Sequence, residues 1–285
     1  MVRSRSEAKF LHACGVGMSF LLMHCTLAID ADRKQCSTTA DCQARGGAFF
    51  GGVCQDSVCV LNPAWSCISQ PAVPSETKDS FTVRLPLVDV VKLQPMPGVT
   101  ARLYEKIDVE AATPISEPVT SDADGIIAFN FTAEFDGFAI LSNDTILPSM
   151  YFFNPAVSND QTLPPVRLAT PAMAAALIQN VGSTFDPARG IVILTAEDCI
   201  GQPAQGVSYS TASADSQTLA FYSVDGLPTT LTAATDPSGY GGLIGVVPGT
   251  TAITAFQESQ GKIGGISLFV KASTISYSRM APSAK

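Results

Sequence analysis

Residues 121–131 read SDADGIIAFNF, and residues 235–247 read TDPSGYGGLIGVV. Each begins with Ser or Thr, continues with Asp, two variable residues and Gly, and then enters an apolar run. An Asp at the start of a turn accepts backbone N–H groups, and a Gly at its end supplies a left-handed conformation. Asp122 with Gly125, and Asp236 with Gly239, are therefore expected to fix strand register at two equivalent turns. Working outward, Pro97-Gly98-Val99 precedes the first turn and Pro203-Ala204-Gln205-Gly206-Val207 the second. Phe135-Asp136-Gly137-Phe138 follows one, Val247-Pro248-Gly249-Thr250 the other. The Gly-to-Asp interval is 24 residues in the first copy and 30 in the second. A longer loop around TASADSQTLAFYSVDG (residues 211–226) accounts for the difference. The pattern indicates an internal duplication.

Around these landmarks the texture is short strands between Pro, Gly and Asp clusters. Residues 81–85, 99–104, 126–131 and 138–141 alternate in the first region, and 191–194 and 266–270 mark the second. This predicts a mainly β chain of two antiparallel, seven-strand-type β-sandwiches. Between them, Thr170 is a good N-cap, Pro171 suits the first helical position and Gly182 is a stop, so one short helix of about ten residues is expected in the linker. Met173 and Leu177 form an ordinary i,i+4 pair on it. The expected domains are a signal peptide at 1–28, a disulfide-rich module at 29–70, a first sandwich at 78–169, a helical linker at 170–184 and a second sandwich at 185–282.

The Pro–x–Gly–Val, Ser/Thr-Asp-x-x-Gly and Pro-Gly or Asp-Gly landmarks resemble those of carboxypeptidase regulatory-like domains, within the transthyretin-like (prealbumin-like) sandwiches. The cysteine-rich stretch ending in Trp65-Ser66-Cys67 resembles modules that precede such domains in exported bacterial proteins. The resemblance covers most of residues 30–282. It implies an exported, non-catalytic module, and its short motifs support a fold more than an activity.

The N-terminus is read as an export signal. Arg3, Arg5 and Lys9 form a basic start, an apolar stretch runs from Phe10 to Ala28, and Thr26-Leu27-Ala28 offers small residues to a signal peptidase, with Ala28 the last residue removed. An uncleaved anchor and lipid attachment at Cys25 are the alternatives; Leu22-Met23-His24 fits lipidation poorly. The whole chain carries 17 Lys+Arg against 25 Asp+Glu, a net charge of −8. Cleavage leaves 14 against 24, and it removes both histidines, His12 and His24. A mature chain without imidazole has no Ser-His-Asp or Cys-His site, no His-ligated zinc and no histidine base. The acidic balance argues against nucleic acid, which needs clustered Lys and Arg.

Of eight cysteines, Cys14 and Cys25 leave with the signal. Cys36, Cys42, Cys54, Cys59 and Cys67 crowd together, separated by five, eleven, four and seven residues, and Cys199 stands alone. That spacing lacks paired C-x-x-C metal sites and suits disulfides in a small exported module. The preferred scheme is Cys36–Cys54, Cys42–Cys59 and Cys67–Cys199, although six cysteines allow fifteen connectivities.

Other chemistry is weaker. Asp122-Ala123-Asp124-Gly125 matches part of a calcium loop, but its twelfth position is Ala133 rather than Glu. Lys92 and Asn154, offered as an isopeptide pair, are read as surface residues. Asn130-Phe131-Thr132 and Asn143-Asp144-Thr145 are glycosylation sequons. Tyr151, Phe152 and Phe153 are read as a core strand rather than a binding face. No catalytic, cofactor or metal residue is assigned. The expected function is an exported, non-enzymatic surface or extracellular interaction and scaffold protein with a protein or carbohydrate partner. The alternatives are a carbohydrate- or peptide-binding accessory module for a separate enzyme and, third, a carboxylate-dependent hydrolase.

Overall fold

The computed structural model describes residues 34–45, 52–60, 63–69, 78–105 and 113–283. The expected signal peptide, with Cys14, Cys25 and both histidines, lies outside the described residues. Among the described residues no helix is long and apolar enough to cross a membrane.

The cysteine-rich segment holds helix α1 (Thr39–Gln43), strands β1 (Val53–Gln55) and β2 (Val58–Val60), and a 3-10 helix over Pro63–Ser69. It is too short for an apolar core, and Cys36, Cys42 and Cys59 fill its interior instead. Asp41 accepts from the backbone N–H groups of Ser37 and Thr38 at 2.6 and 2.9 Å, which anchors the start of α1.

The first half contains β3 (Phe81–Asp89), β4 (Thr100–Tyr104), β5 (Val119–Thr120), β6 (Ile126–Phe131), β7 (Phe138–Ser142), β8 (Ser149–Phe152), β9 (Gln161–Thr162) and β10 (Val166–Leu168). Helix α2 (Pro171–Asn180) follows, started by the Thr170 hydroxyl, which accepts from Met173 N–H at 3.2 Å. The second half contains β11 (Gly190–Ala196), β12 (Val207–Thr211), β13 (Leu219–Val224), β14 (Leu227–Thr229), β15 (Tyr240–Val246), β16 (Gly249–Gln257), β17 (Gly261–Val270) and β18 (Ile275–Met280).

Each half contributes two sheets, and one sheet from each is fused. A nine-stranded central sheet runs β14-β13-β15-β11-β18-β8-β7-β4-β5; β10-β3-β6, with β9 on β3, and β12-β16-β17 are the outer sheets. The joint is the β18–β8 pair, where Tyr277 lies opposite Tyr151. This pair is parallel, as are β11–β18, β3–β9 and β3–β10, so the pairing is mixed rather than wholly antiparallel. Such strands, distant in sequence, need no hairpin and can meet in either direction.

The two outer sheets cover opposite faces of the central sheet. Side chains alternate along each strand. Ala139, Leu141, Tyr151, Ile191, Ile275 and Tyr277 join a core with Phe81, Val83, Leu85 and Leu87 of β3 and with Ala174 and Ile178 of α2. Their neighbours Phe138, Met150, Phe152, Val192, Leu194 and Met280 join the opposite core with Ile253, Ile263 and Leu268 of the second outer sheet. That sheet belongs to the second half, and Trp65 and Ile68 of the 3-10 helix pack into the same core beside Phe138 and Met150. On the first face, α2 adds Ala174 and Ile178 to the core that holds Ile191 and Ile244, and it packs against β14. Two-sided cover explains why β8, β11 and β18 are buried along nearly their whole length while β3 alternates.

The stretch read as a longer loop, residues 211–226, is only partly loop. Leu219–Val224 forms β13, which turns through Asp225 and Gly226, both at positive φ, into β14. An Asp-Gly pair is a preferred two-residue hairpin turn, and the alternation of Leu219 and Phe221 with Ala220 and Tyr222 fits a strand.

Candidate functional site

The turns around Asp122 and Asp236 repeat the same hydrogen bonds. Ser121 Oγ donates to Met96 O and accepts from Val99 N; Thr235 Oγ1 donates to Ala204 O and accepts from Val207 N. Gly125 N–H donates to Asp122 O and Gly239 N–H to Asp236 O, each at 3.0 Å. Leu87 N–H donates to Gly125 O and Ala196 N–H to Gly239 O, each at 2.8 Å. Asp122 Oδ1 accepts from Asp124 N and Ile126 N; Asp236 Oδ1 accepts from Ser238 N. These carboxylates are occupied by backbone donors.

Gly239 sits at φ 69°, and a Cβ there would lie 2.5 Å from Ala196 O; at Gly125, φ 72°, it would lie 2.6 Å from Leu87 O. Gly98, at φ 77°, has open space around it. We therefore expect Gly239→Ala to cost about 3 kcal/mol, adding backbone strain to a steric clash, and Gly98→Ala only about 1 kcal/mol. Urea unfolding of the two variants checks the difference; equal losses would contradict it.

Cys36 is bonded to Cys54, Cys42 to Cys59 and Cys67 to Cys199. Three sulfurs, of Cys36, Cys42 and Cys59, lie within 4.8 Å of one another, but each is committed to a disulfide and offers no thiolate to a metal. Cys199 N–H also donates to Ala64 O at 2.8 Å, so the 3-10 helix is held to the start of the loop after β11 by both bonds.

A buried polar group lies at the joint between the halves. Glu197 and Arg279 form an ion pair at 3.4 Å, with side chains only 6% and 12% exposed. Burial pushes the Glu197 carboxyl above its ordinary value, against the opposing pull of Arg279. The Tyr151 hydroxyl is buried nearby, and neither it nor Arg279 Nε closes a well-aligned hydrogen bond. Asn154 is half-buried here rather than on the surface: its Nδ2 donates to Arg279 O at 3.3 Å. The β8 register brings it to the joint. Lys92 is exposed. Tyr151, Phe152 and Phe153 are all buried.

Burial raises the phenol pKa of Tyr151, Tyr209, Tyr222, Tyr240 and Tyr277. An unfolded tyrosine ionises near pH ~10. The folded chain holds these protons to higher pH, so stability is retained below that value and lost as pH rises above it. Tyrosinate absorbance of the fully buried Tyr151, Tyr209 and Tyr277 is expected to appear together with loss of the folded state. Their independent ionisation in folded protein would contradict the buried environment.

A cleft holding about 100 Å3 of water-sized space lies between α2 and the central sheet. Leu177, Ile178 and Val181 line one wall; Ile191, Ile193, Phe221 and Ile244 line the other. Its polar groups gather at one end. Arg167 stacks its guanidinium 4.4 Å from the centre of the Tyr240 ring. Tyr240 Oη donates to Pro165 O at 2.9 Å, and Tyr277 Oη donates to Arg167 O. Ser223 is 7% exposed, and its hydroxyl has no partner. Such orphaned buried hydroxyls are uncommon. No sequence motif marks this site, because its walls come from α2, β11, β13 and β15. An unpaired Ser inside an apolar strand is the one local signal.

No family model matches the chain, and no curated protein does. Solved structures overlap it weakly. The Bacillus anthracis TIE protein aligns at 10% identity over 72% of this chain, with a TM-score of 0.25, and the match spans 34% of that protein's length. BcpA, the major pilin subunit of Bacillus cereus, aligns at 11% identity over 72% of this chain and 100% of its own, with a TM-score of 0.25. The shaft pilin SpaA of Lactobacillus rhamnosus GG aligns at 11% identity over 73% and 98%, with a TM-score of 0.23. Superpositions at this level do not establish a common fold.

Proposed function

We propose that this is an exported, non-enzymatic surface or extracellular scaffold and interaction protein, in which a signal peptide (1–28) and a disulfide-rich module (29–70) precede two carboxypeptidase regulatory-like sandwiches (78–169 and 185–282) joined by a helical linker (170–184). The observation that carries this reading is the set of three disulfides, one of them spanning 132 residues, since such bonds persist in oxidising compartments. The duplicated turns, with their carboxylates engaged by backbone, favour structural roles for Asp122, Gly125, Asp236 and Gly239. The fused central sheet gives the two sandwiches one rigid frame on which loops present a partner-binding surface.

Cell fractionation with thiol labelling tests the reading. The protein is expected outside the cytoplasm with all its cysteines unreactive until reduced. Recovery in the cytoplasm with labelled cysteines would overturn it, as would a hydrolytic activity abolished by Glu197→Gln in a variant that still folds.

The apolar cleft favours a second reading, an accessory binding module. Its lining suits an apolar ligand rather than a sugar, whose many hydroxyls need polar partners.

A further inference from the structure

We infer that the cleft between α2 and the central sheet binds a single-headed amphiphile, an aliphatic chain ending in a carboxylate, with Arg167 and Ser223 taking the head. This deepens the binding reading and is independent of where the protein resides.

The shape comes first. Protein interiors pack densely, so an apolar cleft left open between a helix and a sheet is the kind of place where small molecules bind. Leu177 and Ile178 of α2 face Ile191, Ile193 and Ile244 of the sheet across it, so its body offers contacts to a hydrocarbon and none to a polar chain.

The chemistry of one end sets the head group. Ser223 lies one step beyond the Tyr222–Gly241 pair, alongside Tyr240, and Arg167 covers the Tyr240 ring. The orphan hydroxyl and the guanidinium are thus at the same end of the cleft. Among the described residues no carboxylate pairs with Arg167, although the chain carries a net charge of −8. A guanidinium accepts a carboxylate through parallel N–H···O bonds, and the Ser223 hydroxyl supplies one further donor. A cationic head would meet Arg167 with like charge. Gly226 and Pro228 of the hairpin line the cleft beside Ser223.

Calorimetric titration of the exported protein with dodecanoate, below its micelle-forming concentration, tests this. The expected result is saturable binding of one dodecanoate per chain and at least tenfold weaker binding of dodecanol and of dodecyltrimethylammonium. Arg167→Gln is expected to weaken dodecanoate at least tenfold and leave dodecanol unchanged. Leu177→Trp, which fills the cleft, is expected to abolish binding. If that variant fails to fold, Ser223→Ala serves instead, with a several-fold loss for dodecanoate and an unchanged thermal midpoint. No saturable binding would overturn the proposal. So would binding indifferent to Arg167→Gln, or binding that survives in folded Leu177→Trp. Failure here leaves the export reading standing, because fractionation does not depend on the cleft.

Discussion

Serine at both Cys67 and Cys199 is expected to lower the unfolding free energy by about 5 kcal/mol, the loop-closure entropy of a 132-residue loop. No other change considered should cost as much. The loop encloses the first half of the chain and enters the second, so its closure restrains most of the unfolded ensemble. The bond also holds the 3-10 helix against the central sheet, where Trp65 packs with Phe138, Met150 and Phe152. Trp65 is the chain's single tryptophan, so its emission reports that segment alone. The variant should combine a large fall in denaturant midpoint with a red-shifted Trp65 emission under native conditions. A loss below about 1 kcal/mol with unchanged emission would show that the bond does not restrain the fold.

Arg279→Leu is expected to cost about 4 kcal/mol, because it strands the Glu197 carboxylate in a buried site. Leaving one partner of a buried pair uncompensated is far more damaging than removing both. Glu197→Gln combined with Arg279→Leu should therefore recover most of the loss. The single variant should also regain stability as pH falls and Glu197 takes up a proton. Its carboxyl is already pushed up by burial and would lose the opposing pull of Arg279. Below the ordinary carboxylate range folded and unfolded states both bind the proton, and the gain is complete. Denaturant unfolding of the two variants across acidic pH measures this. A double variant no better than the single one would contradict it.

The local features were the readable ones. Helix α2 is visible because Thr170, Pro171 and Gly182 bracket it, and their roles need only neighbouring backbone. The β-sandwich class is visible in the alternation of Phe81, Val83, Leu85 and Leu87, which have solvent on one side. The fused sheet is different. Its signal is the loss of alternation in Ile191-Val192-Ile193-Leu194, which reads equally as any buried strand. The β18–β8 joint unites residues more than 120 positions apart, and nothing in either segment names the other. The alternation in strand β13 is short and follows Thr- and Ser-rich residues, so it carries little signal of its own. The cleft was hidden for the same reason as the joint: Arg167 and Ser223 are 56 positions apart, and only the β13–β15 pairing and the stacking of Arg167 on Tyr240 bring them to one end. Disulfide pairing is likewise a tertiary property, since cysteine spacing leaves fifteen arrangements open.

Export and closure by disulfides are tested most directly by the intact mass of the exported chain, before and after reduction, with thiol labelling. The expected chain begins at Ile29, takes up no label before reduction and six labels after it, and yields a non-reduced digest in which the Cys67 and Cys199 peptides are joined. Labelling of Cys199 without reduction would contradict this account, and so would recovery of the protein only from the cytoplasm with free thiols.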